Sequence, residues 1–242
     1  MGKNPQCITG DTLAVFPTSK IEYQLNLHFL VTGRFCRPSL GTLAMDRLTC
    51  HRLQNGRDWK EILNLPRSEV ITDWQGNRLS KPYRYSIGKD SEFLVFVADV
   101  PLSPPASRPE QYQEFVNDLA EPATRGQTAE LFVMRTEDHY FEIHISPDAA
   151  WWYKSFIGYR QRDPESPIPK ADIFVERKID GWTAAISLPL KELSVELSDG
   201  VMAQATLGLC DRDSPCYITT AGTPDFEPDF HNKRAFACLE IK

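Results

Sequence analysis

The chain of 242 residues is poor in histidine, with only five, and it has no Cys-x-x-Cys pair, no His-Glu-x-x-His and no EF-hand loop. Chemistry that needs several histidines therefore has little material here. Its 13 glycines never gather into a Gly-rich loop, which excludes a phosphate cradle of that kind. There is no Gly-x-Ser-x-Gly and so no recognisable nucleophile elbow. No uninterrupted apolar run approaches the ~18 residues that a membrane-spanning helix needs. The opening Met1-Gly2-Lys3-Asn4-Pro5-Gln6-Cys7 lacks the apolar core of a secretory signal, and Cys7 stands where a myristoylation signal wants Ser or Thr. A cytoplasmic location is the expectation. The formal charge of −6, from 27 Lys and Arg against 33 Asp and Glu, leaves no footprint for nucleic acid or anionic lipid. With 41% apolar and 25% charged residues, collagen-like, disordered and membrane-spanning classes are excluded and a soluble globular chain is expected, without membrane insertion.

The six cysteines are Cys7, Cys36, Cys50, Cys210, Cys216 and Cys238. In the absence of a secretory signal, six reduced thiols are expected rather than three bridges. Cys50 and Cys238 alternate with apolar residues and read as small strand hydrophobes. Cys210 and Cys216, separated by Asp211, Asp213 and Pro215 among others, make a poor zinc knuckle.

What the chain does have is aromatic residues and a period of two. It carries five Trp, eight Tyr and 13 Phe. Apolar positions alternate at Leu25, Leu27 and Phe29, at Ala129, Leu131 and Val133, at Ile173 and Val175, and at Val201, Ala203, Ala205 and Leu207. Phe93 to Val100 is nearly continuous, and Phe236 to Ile241 forms a last run. Such runs, bounded by turn residues, are strands. Asp180-Gly181 suits a type I′ hairpin turn, and Thr136-Glu137-Asp138 joins a second hairpin.

Helix is scarce. Ser107 with Glu110 forms a capping box ahead of Tyr112, Phe115, Val116 and Leu119, and a short turn is expected from Leu190 to Leu193. The stretches from Pro101 to Pro109 and from Arg162 to Pro169 read as loops rather than linkers. The expected fold is all-β: a single domain over 1–242, an antiparallel, jelly-roll-like β-sandwich with one or two short helices in its loops.

Two segments concentrate reactive side chains. In the first, strand alternation puts Tyr140, Glu142 and His144 on one face and Phe141, Ile143 and Ile145 on the other. The tandem Trp151-Trp152 follows, and on a strand one of the two faces outward. An exposed indole offers a flat face on which a sugar ring or heterocycle stacks; the alternative is that both tryptophans plug the sandwich edges. In the second segment, Asp229 and His231 flank Phe230, either as a structural corner or as ligand contacts. The acidic turns Glu137-Asp138 and Asp211-Arg212-Asp213 are oxygen-rich enough to leave calcium open. Heme would need His144, His139 or Met134 as axial ligands, and His139 and His144 differ in strand parity.

These segments resemble the DOMON-like proteins, relatives of the family 9 carbohydrate-binding modules. The resemblance runs through Ala129-Glu130-Leu131-Phe132, Tyr140 to Pro147, Trp151 to Phe156 with Tyr159-Arg160, Trp182 to Leu190, and Pro228-Asp229-Phe230-His231, and covers roughly residues 90 to 242. It implies a jelly-roll sandwich that binds sugar or, in some members, heme. The expected ligand contacts are Tyr140, Glu142, His144, Trp151, Trp152, Tyr159, Arg160, Asp229 and His231. The expectation is thus a non-catalytic module for carbohydrate or glycoconjugate, with no cofactor, no catalytic residue and no metal site. The alternatives are a heme carrier, an enzyme using Glu142 and His144 or Asp229 and His231 as acid and base, or an interaction protein that meets another protein through its aromatic surface.

Overall fold

The computed structural model describes residues 47–101, 127–210, 215–220 and 229–242. All of them belong to one compact unit, Phe35–Lys242. The expected strand around Leu25, the helix after Ser107 and the acidic turn at Asp211 lie outside the described residues, as do Cys7 and Cys36.

The fold is all-β, as expected. Its strands are β1 (Arg47–Arg52), β2 (Ser68–Thr72), β3 (Arg78–Lys89), β4 (Phe93–Val100), β5 (Gln127–Met134), β6 (Tyr140–Ile145), β7 (Trp151–Gly158), β8 (Gln161–Arg162), β9 (Asp172–Lys178), β10 (Gly181–Pro189), β11 (Met202–Cys210), β12 (Pro215–Thr219) and β13 (Ala237–Ile241). Two short helices interrupt them, α1 (Trp59–Leu63) and α2 (Leu190–Leu193). The second is the turn expected after Pro189. The first, at five residues, is too short to show a helical period; Asp58 starts it by accepting from the Lys60 amide at 2.9 Å. No helix among the described residues is long and apolar enough to cross a membrane.

Hydrogen bonding links the strands in the order β8-β7-β6-β5-β11-β13-β1-β3-β4-β10-β9, with β12 on β11 and β2 on β3. Two halves of this path enclose one core. Phe96 and Ala98 of β4, Ile87 of β3 and Ile186 of β10 share it with Leu131 of β5, Ile143 of β6 and Ala205 of β11. Most pairings are antiparallel, as expected of a sandwich, but β1 runs parallel to both β13 and β3, so the sheet is mixed at its centre. The outer face of β4 and β10 is covered in turn by Ile62 of α1 with Leu53 and Leu65, so strand β4 is buried on both sides. This accounts for its continuous apolar run.

The hairpin at Asp180-Gly181 forms with its turn one residue earlier than expected. Gly181 pairs with Lys178, leaving Ile179 and Asp180 as the loop, and neither Asp180 nor Gly181 adopts a positive φ. Packing requires the glycine instead: a Cβ on Gly181 would lie 2.5 Å from the Val100 carbonyl oxygen. Trp182 follows it into the core, 1% exposed, and its indole N–H donates to Gln127 Oε1 at 2.5 Å. Cys50 is a free buried thiol whose pKa burial raises to about 12. Cys238 is held in a disulfide, which corrects the expectation of six reduced thiols.

Trp182→Ala removes the largest fully buried side chain. It is expected to cost about 3–5 kcal/mol of unfolding free energy, and Trp182→Phe distinctly less, as read from urea denaturation.

Candidate functional site

Strands β5 and β6 are buried on both faces, so the alternation that sends Leu131, Ile143 and Ile145 into the core sends an opposite set into a second, polar interior. Register aligns that set in ranks across the sheet. One rank runs Thr206, Glu130, His144, Trp152; the next runs Gln204, Phe132, Glu142, Lys154. Met134, Tyr140 and Phe156 form the rank beyond.

Glu130 is the deepest of the acids at 2% exposure. Its carboxylate accepts from the Thr206 hydroxyl at 2.8 Å and from the Thr128 hydroxyl at 3.0 Å. Gly208 leaves the room for this pair, since a Cβ there would come within 3.2 Å of Thr128 Oγ1. Burial nevertheless dominates and raises the Glu130 pKa, while the nearby His144 and the Thr206 hydroxyl pull it down. His144 Nδ1 lies 3.6 Å from Glu130 Oε1, and its Nε2 lies 3.9 Å from Glu142 Oε2. The His144 ring also meets Trp152 edge to face, with centroids 4.1 Å apart. Lys154 places its ammonium 3.6 Å from the centre of the Trp152 ring.

The C-terminal corner closes over this face. His231 enters an aromatic box of Phe132, Tyr140 and Phe156, with centroid separations of 5.6, 5.8 and 5.2 Å. Tyr140 and Phe156, which form one wall, are stacked at 4.6 Å. His231 Nδ1 is 2.7 Å from the Tyr140 hydroxyl, and its Nε2 is 3.7 Å from Glu142 Oε2. Desolvation pushes the Tyr140 phenol well up from its ordinary pKa. Asp229 holds the corner in both of the ways expected for it. It accepts from the His231 amide at 3.1 Å, from the Tyr159 hydroxyl at 2.8 Å and from the Arg160 guanidinium at 3.2 Å. Arg160, at a left-handed φ of 53°, turns its own amide onto the Tyr140 hydroxyl at 3.2 Å.

Eight of the nine residues expected to contact ligand are thus brought together. Tyr140, Glu142, His144, Trp152 and His231 form the interior array, and Tyr159, Arg160 and Asp229 form its rim. Trp151 is the exception. It stands opposite Ile145 in the register and packs against the apolar core, so it faces away from the array. Glu130, Lys154, Thr206 and the box phenylalanines were missed by sequence reasoning. Extending the Tyr140–Glu142–His144 parity onto the neighbouring strands finds Glu130 and Lys154; Thr206 needs the β5–β11 pairing.

Among the described residues, no group of three or more His, Cys, Asp or Glu is placed to hold a metal ion. At the acidic turn Glu137-Asp138, the Lys233 ammonium donates to Glu137 O at 2.8 Å and to Asp138 Oδ1 at 2.7 Å, and it holds the Asp138 carboxyl below its usual range. His139 is exposed in the β5–β6 connection, while His144 is buried in the array, so the two histidines do not meet.

A half-exposed indole beside buried carboxylate, imidazole and ammonium groups, on a sandwich of this topology, is an arrangement of the carbohydrate-binding-module class. Solved structures agree on the fold. A family 9 carbohydrate-binding module from Caldicellulosiruptor kristjanssonii, in complex with cellotriose, matches 81% of this chain and 93% of its own length at a TM-score of 0.54 and 11% identity. The glucose complex of a family 9 module from the same organism matches 81% and 95% at a TM-score of 0.52 and 10% identity. A Bacteroides uniformis protein thought to bind carbohydrate matches 81% and 99% at a TM-score of 0.54 and 10% identity. No family model and no curated protein matches the sequence. The chain therefore has the fold of family 9 carbohydrate-binding modules.

Glu130→Gln tests how the array carries its buried charge. A carboxyl whose pKa is raised by folding contributes stability fully below the ordinary Glu value of ~4.3 and loses it as pH rises through the raised value. Near neutral pH, Glu130→Gln is expected to melt above the unsubstituted protein. That advantage shrinks towards pH 4, as thermal melts at the two pH values will read.

Proposed function

We propose that the chain is a non-catalytic carbohydrate-binding module of the DOMON-like kind, with its ligand seated against the polar face of β5, β6 and β7. The observation that carries this reading is the convergence of half-exposed Trp152 with buried Glu142, His144 and His231 on one sheet face. A pyranose has an apolar face for an indole and a ring of hydroxyls for carboxylates and imidazoles, so one surface meets both of its demands. Gln204 adds an acceptor: its Oε1 is buried and has no hydrogen-bond partner among the described residues. The fold shared with modules solved with cellotriose and with glucose supports the same ligand class. Because the Lys154 ammonium already lies over Trp152, the indole offers a sugar at most one face.

Calorimetric titration of the full chain with glucose and cellotriose is the direct test. Binding is expected, and Trp152→Ala should weaken it about tenfold, in line with ~1 kcal/mol for a stacked aromatic contact. Trp151→Ala should reduce stability with far less effect on affinity. Heat signals absent for a broad panel of sugars would overturn the assignment.

A further inference from the structure

The histidines and carboxylates of the polar face are arranged as a clamp on a single atom. Glu142 Oε2 is approached by His144 Nε2 at 3.9 Å from its own strand and by His231 Nε2 at 3.7 Å from the C-terminal corner. Both separations lie just beyond hydrogen-bonding distance, so the carboxylate oxygen keeps lone pairs to offer a ligand. We propose that sugar binding on this face is switched off by acid, through closure of His144 and His231 onto Glu142; the proposal rests on the reading of this face as a sugar site.

The direction follows from the chemistry of the groups. Imidazole is the side chain whose charge ordinarily changes between about pH 5 and 8. A neutral imidazole has one N–H and one lone pair, so it can donate to or accept from a sugar hydroxyl. A protonated one has two N–H donors and a positive charge beside a carboxylate. Two such rings converge on Glu142 Oε2 and take up the lone pairs that would otherwise receive ligand hydroxyls.

The surrounding groups favour the same direction. From β5, Glu130 faces His144 Nδ1 at 3.6 Å. From β6, the Tyr140 hydroxyl holds His231 Nδ1 at 2.7 Å, which leaves Nε2 directed at Glu142. From β7, Lys154 stands opposite Glu142 in the register and adds the one ammonium of the array. At the rim, Arg160 and Asp229 neutralise each other at 3.2 Å. From β11, Thr206 and Gln204 supply only uncharged groups. Among these residues, acidification adds charge where two carboxylates can bind it, and ligand hydroxyls must then compete with ion pairs.

The test is calorimetric titration of the full chain with cellotriose at pH 7.5, 6.5 and 5.5. The dissociation constant is expected to rise at least tenfold across the range. Near pH 6.5, binding should release protons, seen as a heat that depends on the ionisation enthalpy of the buffer. The ratio of dissociation constants at pH 5.5 and 7.5 should fall towards one in the His144→Gln/His231→Gln double variant, whatever its absolute affinity. A ratio within twofold of one in the unsubstituted protein, or a steep ratio that survives in the double variant, overturns the switch while leaving the sugar reading intact. Absence of binding at every pH overturns the sugar reading. The clamp is then judged by NMR titration of the histidine ring protons, where Glu142→Gln should move the titrations of both rings. Rings that ignore this substitution overturn the clamp as well.

Discussion

A carboxylate taken out of water costs several kcal/mol unless other groups replace its hydration, and strands β5 and β6 take two of them out of water. Glu130 and Glu142 are each 2% exposed. The threonine hydroxyls on Glu130, the imidazoles between the two acids and the lysine opposite Glu142 are consequences of that burial. So is the closure of the C-terminal corner, because His231 is both a wall of the aromatic box and a neighbour of Glu142. The apolar core on the other side of the same strands is ordinary by comparison. It fixes the direction of the pleat and so decides which residues must satisfy one another in the polar interior.

The corner is built from several moderate interactions rather than one strong one. Asp229 caps its own turn and reaches the β7–β8 connection through Tyr159 and Arg160, while Lys233 reaches the β5–β6 connection through Glu137 and Asp138. Most of these groups are exposed, and exposed pairs contribute little individually. Together they locate His231, whose own contacts are aromatic and buried. Positioning a functional ring in this way uses charged residues at the rim and apolar ones around the ring.

Much of this was legible in the sequence because the relevant signal has a period of two. The alternation at Tyr140–Glu142–His144 separates core from polar face correctly, and the sandwich class follows from strands that outnumber helices. The sequence does not say that the polar face is itself covered, since strand parity distinguishes two faces without saying what lies on either. The partners of Glu130 were invisible for a related reason: Thr206 lies 76 residues away and is brought near by strand pairing, which no local pattern encodes. Trp151 and Trp152 were equivalent as letters, and only the register with Ile145 and His144 assigns one to the core and the other to the site. Gly181 looked like a turn glycine but is required by a carbonyl of the neighbouring strand. The five-residue helix α1 falls below the length at which a 3.6-residue period shows.

The parallel placement of β1 between β13 and β3 also bears on how the chain reaches this state. Arg47 pairs with Cys238 and Cys50 with Ile241, contacts that span most of the described sequence. Loop-closure entropy makes contacts of such separation slow to form. During synthesis, the two halves of the sandwich emerge with β1 and β11 as open edges, and the seam between them closes only when the last strand leaves the ribosome. The final few residues are thus the fastening of the whole sandwich, and a nascent chain stalled short of them presents unpaired strand edges of the kind that chaperones protect from aggregation.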